Sequence, residues 1–201
     1  MAKKGLRHKI GLLLNEAREA TSQTDYIIIG SLSVLGAHET PPPQMVTSTD
    51  VDLYPKQDPG RAAEVSAKLG FGSAFEARHG IFADAVSPNL AALPDGWQDR
   101  LVKVEFGKAV GWFLDPNDAA ISKYVRGEPR DRLWIMAGLE SGVLSMPIID
   151  RLLPITYTAT TREASIARVA IAEDKKELGL RNPATRPTPR RLPKPTQRRK
   201  P

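Results

Sequence analysis

The sequence predicts an α+β protein whose strands come early in the chain and whose helices dominate its second half. Three observations favour this class. Apolar runs of strand length lie before residue 114. From residue 115 onwards, helix-capping residues and apolar residues at helical spacing replace them. The last 21 residues hold six prolines and eight basic residues but no acidic residue, which predicts a disordered tail. We therefore divide the chain into residues 1–114, 115–180 and 181–201.

The chain begins with a predicted helix over residues 6–20, because apolar residues recur there at helical spacing with charges on the other face. A short apolar run over residues 26–29 predicts a buried strand, which ends at Gly30 and Ser31. This Gly-Ser pair predicts a sharp turn into a short helix over residues 31–37. Backbone N–H groups at such a helix start form a natural binding site for phosphate.

Two carboxylates follow a loop over residues 38–47, which three consecutive prolines keep out of regular structure. Asp50 and Asp52 lie on a predicted strand over residues 50–54, where alternation places both side chains on one face. Two like charges at this spacing repel each other, and a bound divalent cation removes that penalty. Hard oxygen ligands suit Mg²⁺. The alternative is a solvated pair of acids at the edge of a sheet, with no metal.

The middle of the chain predicts one helix followed by several strands. Asp58 and Pro59 start the helix, which ends near Gly70. Glycines and small residues favour strands after it, and a proline-containing loop over residues 87–98 interrupts them. The predicted strands are residues 73–78, 81–86, 101–106 and 110–113, the last of which pairs back onto its predecessor.

The second half predicts four helices. Asp115 as N-cap and Pro116 in the first turn start the first helix, and Gly127 with Pro129 ends it. The others cover residues 130–140, 147–153 and 160–178, the last with an inner face of Ile166, Val169, Ala170 and Ile171.

Lys123 lies in the first of these helices, next to the apolar residues Ile121 and Tyr124. We therefore expect its aliphatic stem to be partly buried. Its ammonium group has two alternative roles: an ion pair with Asp131, or neutralisation of the phosphates of a nucleotide.

Composition excludes several classes of site. The chain has no cysteine, so disulfides, thiolate metal sites and thiol nucleophiles are excluded. The three histidines are too scattered along the sequence to indicate a zinc cluster. No apolar run has the length that crosses a bilayer, and no signal-peptide pattern is found. We expect a cytoplasmic protein with no membrane partner.

The net charge of +6 comes from the tail. Residues 1–180 hold 21 basic and 23 acidic residues, so the globular part is nearly neutral. An Arg/Pro-rich arm binds polyanions through phosphate contacts and counterion release, so we expect the tail to bind nucleic acid. A solubilising tail without a binding role is the alternative.

Several motifs resemble those of a known family. The Gly-Ser turn followed by the Asp-x-Asp strand is similar to the minimal nucleotidyltransferase pattern of the DNA polymerase β superfamily. Residues 92–102 and 114–125 resemble the bacterial DUF6036 nucleotidyltransferase-like proteins, which are relatives of the AbiE-type nucleotidyltransferase toxins. This resemblance implies a minimal nucleotidyltransferase core in residues 1–114, with a mixed sheet and flanking helices, followed by the helical segment.

The resemblance also implies roles for individual residues. Gly30 and Ser31 would contact the phosphates of a nucleoside triphosphate (NTP), Asp50 and Asp52 would hold Mg²⁺, and Lys123 would lie near the phosphates. The reaction would transfer a nucleoside monophosphate to an acceptor hydroxyl. The expected acceptor is RNA, tRNA in particular. If the protein is the toxin of a toxin–antitoxin pair, an antitoxin protein is its partner.

Three departures from the family pattern affect these roles. Eighteen residues separate Ser31 from Asp50, more than in the minimal pattern, and Pro129 changes the corner after Lys123. The third metal carboxylate has two candidates on predicted strands, Asp84 and Glu105, of which we choose Asp84; either could instead be a plain surface charge. Two other functions stay open: a binding module that has lost its chemistry, and nucleotidylation of a small molecule.

Overall fold

The computed structural model describes residues 4–158 and 160–179. These residues form a mixed sheet with flanking helices, followed by further helices, so the predicted α+β class is confirmed. The predicted disordered tail, residues 181–201, lies outside the described residues.

Five strands form one sheet: β1 (Asp25–Ile28), β2 (Asp50–Pro55), β3 (Phe82–Ala85), β4 (Val102–Phe106) and β5 (Ala109–Phe113). Their order is β3-β2-β1-β5-β4. The central strand β1 is antiparallel to β2 and parallel to β5. At the two edges, β3 is parallel to β2, and β4 is antiparallel to β5 as predicted.

Eight α-helices accompany the sheet within the described residues. The first four are α1 (Lys4–Thr21), α2 (Val34–Ala37), α3 (Ala62–Leu69) and α4 (Ala74–His79), and the last four are α5 (Pro116–Arg126), α6 (Pro129–Ser141), α7 (Met146–Leu152) and α8 (Thr161–Glu177). Helix α1 packs on α3 and β5, and α5 contacts α6, α7 and α8. Helix α5 therefore connects the other three helices of the second half.

Burial of the apolar residues of β2 and β3 explains why the acidic residues of these strands face away from the core. Val51 and Leu53 of β2 are fully buried, and Ala83 of β3 is buried beside Val51. Full burial of a Leu or Val side chain stabilises the fold by about 1.5–3 kcal/mol, which fixes the face that the strand turns inward. Because side chains alternate along a strand, the residues between these apolar ones face the other way.

The strand predicted over residues 73–78 is wrong, because these residues form helix α4. Ser73 is its N-cap and accepts a hydrogen bond from the Glu76 backbone N–H at 3.2 Å. The Glu76 carboxylate in turn accepts from the Gly72 backbone N–H at 2.6 Å. Ser followed by Glu three residues later is a helix-start signal, and it outweighs the small residues that favoured a strand.

The predicted inner face of α8 is wrong in part. Ala167 and Ile171 are buried, but Val169 is 58% exposed and Ile166 is 38% exposed. The buried stripe continues instead to Asp174, which accepts a hydrogen bond from the Tyr124 hydroxyl of α5 at 2.8 Å. Thr160 caps this helix with a complete capping box, as one of the two predicted caps.

None of the helices among the described residues has the length and the apolar surface that a membrane span requires.

Candidate active site

Three carboxylates meet on one face of the sheet. Asp50 and Asp52 belong to β2 and Asp84 to β3, and Asp52 lies opposite Asp84 in the parallel register. One ligand oxygen from each of the three lies within 4.8 Å of those from the other two. Glu105, the other candidate for a third acid, lies on β4 at the opposite edge of the sheet and pairs with Lys103 at 2.7 Å. The topology therefore brings Asp84, and not Glu105, to the Asp-x-Asp pair.

Asp50, Asp52 and Asp84, which we call the acid cluster, carry more negative charge than the neighbouring cations compensate. Burial, together with the charges of Asp50 and Asp84, raises the pKa of Asp52 to about 7, while Lys123 and Arg126 act in the opposite direction. Such a group of hard oxygen donors with excess charge fits a divalent cation. Asp50 is also held in place, because it accepts a hydrogen bond from the Ser48 hydroxyl.

Gly30 follows β1 and touches the acid cluster directly. Its backbone has φ 69° and ψ −158°, a conformation that is essentially restricted to glycine. A Cβ atom at this position would lie 1.8 Å from Oδ2 of Asp52. The neighbouring Ile29 N–H donates to the Asp52 carbonyl at 3.0 Å, which fixes the turn against β2. The predicted turn and the predicted carboxylates are therefore in contact.

Ser31 and Lys123 meet on the other side of this turn. The Lys123 ammonium donates to the Ser31 hydroxyl at 2.9 Å and to Asp131 at 3.2 Å. The ion pair with Asp131, one of the two alternatives for Lys123, is therefore present, and it holds the ammonium group beside the Gly-Ser turn. Trp134 closes this region: its indole N–H donates to the Ser31 carbonyl at 3.2 Å, and its ring centre lies 4.9 Å from Lys123 Nζ.

Asp131 connects two cations of this region. It pairs with Lys123 and with Arg126, whose Nε donates to it at 2.8 Å. Burial alone would raise the pKa of Asp131, but the hydrogen bond to Arg126 and the two positive charges lower it overall. Burial lowers the pKa of Lys123, and Asp131 partly opposes that change. Arg126 was not among the site residues predicted from the sequence. Its i+3 spacing from Lys123 on α5 could have indicated that the two cations lie side by side.

A cavity of about 360 Å³ opens between helix α1 and the segments that lead into β2 and β3. Its lining includes Lys9 of α1 and the hydroxyl residues Thr47, Ser48 and Thr49. Ser48 also donates to Asp50, so this side chain connects the cavity wall to one carboxylate of the acid cluster.

The site therefore joins two chemically distinct halves. The acid cluster offers oxygen ligands to a cation, and the Gly-Ser turn with Lys123 and Arg126 offers positive charge and donors to an anion. Their contact through Gly30 and Asp52 suits a ligand that is itself an anion with a bound cation, as a metal–polyphosphate complex is.

Comparison with known protein families gives a match over most of the chain. A family model described as "Nucleotidyltransferase of unknown function (DUF6036)" matches residues 8–177 of the 201-residue chain, which include every residue of the site. No curated protein and no solved structure matches the chain.

Proposed function

The chain belongs to the DUF6036 family of nucleotidyltransferases, and we propose that it transfers a nucleoside monophosphate from an NTP to an acceptor hydroxyl with a divalent metal ion. The observation that carries this proposal is the cluster of Asp50, Asp52 and Asp84 in contact with the Gly30–Ser31 turn. Carboxylates that can hold a metal ion, beside a turn that can contact phosphate, suit phosphoryl transfer.

The three carboxylates would hold Mg²⁺, whose preference for oxygen ligands they meet. A bound Mg²⁺ would polarise the α-phosphate and make the attacking oxygen a better nucleophile. The chain's own part is to fix the ligands. Ser48 orients Asp50, the Gly30 backbone limits the position of Asp52, and pairing with β2 places Asp84.

Gly30 and Ser31 would contact the phosphates of the NTP, and Lys123 and Arg126 would neutralise their charge. This assignment is supported by the bond from Lys123 to the Ser31 hydroxyl. It is also supported by Arg126, whose side chain is 45% exposed and whose charge acts on Asp52. Asp131 holds both cations in place before a nucleotide binds.

We further propose that the acceptor is RNA, tRNA in particular, and that the protein acts in the cytoplasm as a toxin with an antitoxin partner. The resemblance to AbiE-type toxins within the DNA polymerase β superfamily supports this reading, as do the eight basic residues from Arg181 onwards.

The proposal is tested by incubating the purified protein with Mg²⁺, total RNA and each of the four α-labelled NTPs in turn. We expect label to appear in RNA with the wild type and to be lost with Asp52→Ala. Asp150→Ala is the matched control, because Asp150 takes part in a surface ion pair with Lys175 and should not matter. No transfer with any NTP, or equal transfer by Asp52→Ala, would contradict the proposal.

A binding module without activity is the second candidate, and the basic tail is the observation that favours it. In that case removal of residues 181–201 would abolish RNA binding. The double variant Asp50→Asn/Asp52→Asn would bind RNA as the wild type does.

A further inference from the structure

An aromatic side chain lies next to the acid cluster on the same face of the sheet. Phe82 is the first residue of β3 and is paired in register with Asp50, just as Asp84 is paired with Asp52. Because side chains alternate along a strand, Phe82 and Asp84 face the same side, while Ala83 between them is buried in the core. A half-buried phenyl ring thus borders Asp50 on its outer side.

A second ring extends this aromatic surface into solvent. Phe71 is 84% exposed and packs edge-to-face on Phe82, with 5.5 Å between the ring centres and 76° between the ring planes. We refer to Phe71 and Phe82 together as the aromatic platform. A phenylalanine with this exposure loses most of the stabilisation that burial of its ring would bring, so the fold does not account for its position.

The turn that carries Phe71 is well fixed. On its N-terminal side the Gly70 N–H donates to the Ser66 carbonyl at 2.9 Å, and on its C-terminal side the Gly72 N–H donates to the Glu76 carboxylate at 2.6 Å. Gly72 has φ 79°, a left-handed conformation that favours glycine. The backbone of the turn is therefore fixed, and the exposed ring rests against Phe82.

The order of the strands separates the two sides of the acid cluster. The Gly30–Ser31 turn follows β1, on one side of β2, and the aromatic platform lies on the other side, at the edge strand β3. A nucleotidyltransferase brings two substrates to its metal site. With the NTP phosphates at the Gly30–Ser31 turn, the β3 side is left for the acceptor.

We propose that the aromatic platform stacks an unpaired nucleobase of the acceptor strand and so places its hydroxyl at the acid cluster. This inference rests on the proposed function and adds the acceptor's binding site to it. Two phenyl rings offer flat apolar faces and no hydrogen-bonding group, so they bind any unpaired base with little sequence preference. A patch of two rings is too small for a stable protein interface, which buries about 800 Å² on each partner.

Binding of a fluorescein-labelled, 12-nucleotide single-stranded RNA tests the platform by fluorescence anisotropy. The full chain is used with Mg²⁺ and without NTP, at a salt concentration high enough to screen the contacts of the basic tail. Phe71→Ala should weaken binding by roughly 5- to 100-fold, the loss expected when one base–aromatic stack is removed. Phe71→Trp should keep the wild-type affinity, and Phe71→Leu should behave like Phe71→Ala because it is apolar but has no ring.

Tyr157→Ala is the matched control, because Tyr157 is also 84% exposed and lies in the segment that precedes α8. This variant should bind the RNA as the wild type does. A blunt RNA duplex, whose bases are already stacked, should bind more weakly than the single strand.

The platform is overturned if Phe71→Ala binds the single strand as tightly as the wild type, if the wild type binds no single-stranded RNA, or if the duplex binds equally well. Calorimetric titration of the same proteins with NTP and Mg²⁺ tests the proposed function separately. NTP binding that depends on Asp52 but is unchanged in Phe71→Ala supports the proposed function, whatever the RNA result. Loss of NTP binding in Phe71→Ala would overturn the assignment of the platform to the acceptor.

Discussion

Gly30 and Asp52 are in direct contact, so a side chain on Gly30 would have to displace Asp52. A Cβ atom on Gly30 would lie 1.8 Å from Asp52 Oδ2, far inside van der Waals distance. The Gly30–Ser31 turn and strand β2 are thus one structural unit, although about twenty residues separate Gly30 from Asp52 in the sequence.

Gly30→Ala is expected to displace Asp52 and so to remove part of the coordination of Mg²⁺. The affinity for Mg²⁺ should fall by at least about tenfold, which corresponds to about 1.4 kcal/mol of binding free energy. Gly142→Ala is the control: its φ is 76°, but a Cβ there would meet nothing within 4 Å. It should cost about 1–2 kcal/mol of stability from backbone strain alone and leave Mg²⁺ affinity unchanged. Calorimetric titration and urea denaturation measure both effects. Equal Mg²⁺ affinity in the two variants would show that the contact does not matter.

Asp52→Asn is expected to change how stability depends on pH. In the absence of metal, burial and the neighbouring acids raise the pKa of Asp52 to about 7, from a usual value of 3.8. Between these two values the folded state holds a proton that the unfolded state has lost, so stability falls as pH rises through this window. Asp52→Asn removes that loss, and the variant should exceed the wild type in stability at pH 8 but hardly at pH 4.

The measurement is urea denaturation of both proteins in EDTA across pH 4–8, repeated with excess Mg²⁺. With Mg²⁺ the order should reverse at pH 8, because the wild type gains the binding energy of the ion and the variant gains less. Parallel pH profiles for the two proteins would mean that the pKa of Asp52 is not raised in the folded protein.

Asp131→Asn is expected to destabilise the protein by about 3–5 kcal/mol, the usual cost of removing one partner from a buried ion pair. Lys123 and Asp131 expose only 5% and 2% of their side chains, so the lysine would be left without compensation. Glu105→Gln breaks the exposed pair with Lys103 and should cost at most about 1 kcal/mol. Because the pKa of Asp131 is lowered, its contribution is present above its usual value near 3.8 and is lost as pH falls further. A similar small loss in both variants would argue against a structural role for this pair.

Lys123→Met keeps the aliphatic stem of the side chain but removes the charge beside Ser31. We expect NTP affinity to fall by at least about tenfold, since a charge-assisted contact to phosphate contributes more than 1.4 kcal/mol. The affinity for Mg²⁺ alone should not fall, because Lys123 makes its hydrogen bonds to Ser31 and Asp131, and its positive charge opposes a cation near Asp52. Calorimetric titrations with Mg²⁺ and with Mg²⁺–NTP separate these effects, and an unchanged NTP affinity would remove Lys123 from the phosphate site.

Much of this site could be predicted from local sequence. The continuous apolar run before Gly30 is typical of a buried strand, and the alternation around Asp50 and Asp52 is a period-two pattern; β1 and β2 follow these two patterns closely. The capping residues Asp115 and Thr160 mark helix starts that the structure confirms. These features depend on neighbours in the chain, which is why a single sequence contains them.

The rest depends on which strands become neighbours. Asp84 and Glu105 both lie on strands and look alike in the sequence; the parallel pairing of β3 with β2 is what brings Asp84 to the cluster and leaves Glu105 at the far edge. The pairing of Phe71 with Phe82 has the same origin, since it depends on the packing of the turn after α3 against β3. Arg126 differs, because it lies three residues after Lys123 on the same helix and contacts Asp131 five residues further on. The wrong strand at residues 73–78 was instead a local error, because the Ser73 and Glu76 capping pair was present in the sequence.

The central claim is that one site binds the metal and the phosphates of an NTP together. A crystal structure of the full chain with Mn²⁺ and a non-hydrolysable NTP analogue tests it most directly. We predict an anomalous peak coordinated by Asp50, Asp52 and Asp84, with phosphate oxygens at Gly30, Ser31 and Lys123. Phosphates bound away from the Gly30–Ser31 turn, or Mn²⁺ bound elsewhere while the three carboxylates coordinate nothing, would contradict the claim.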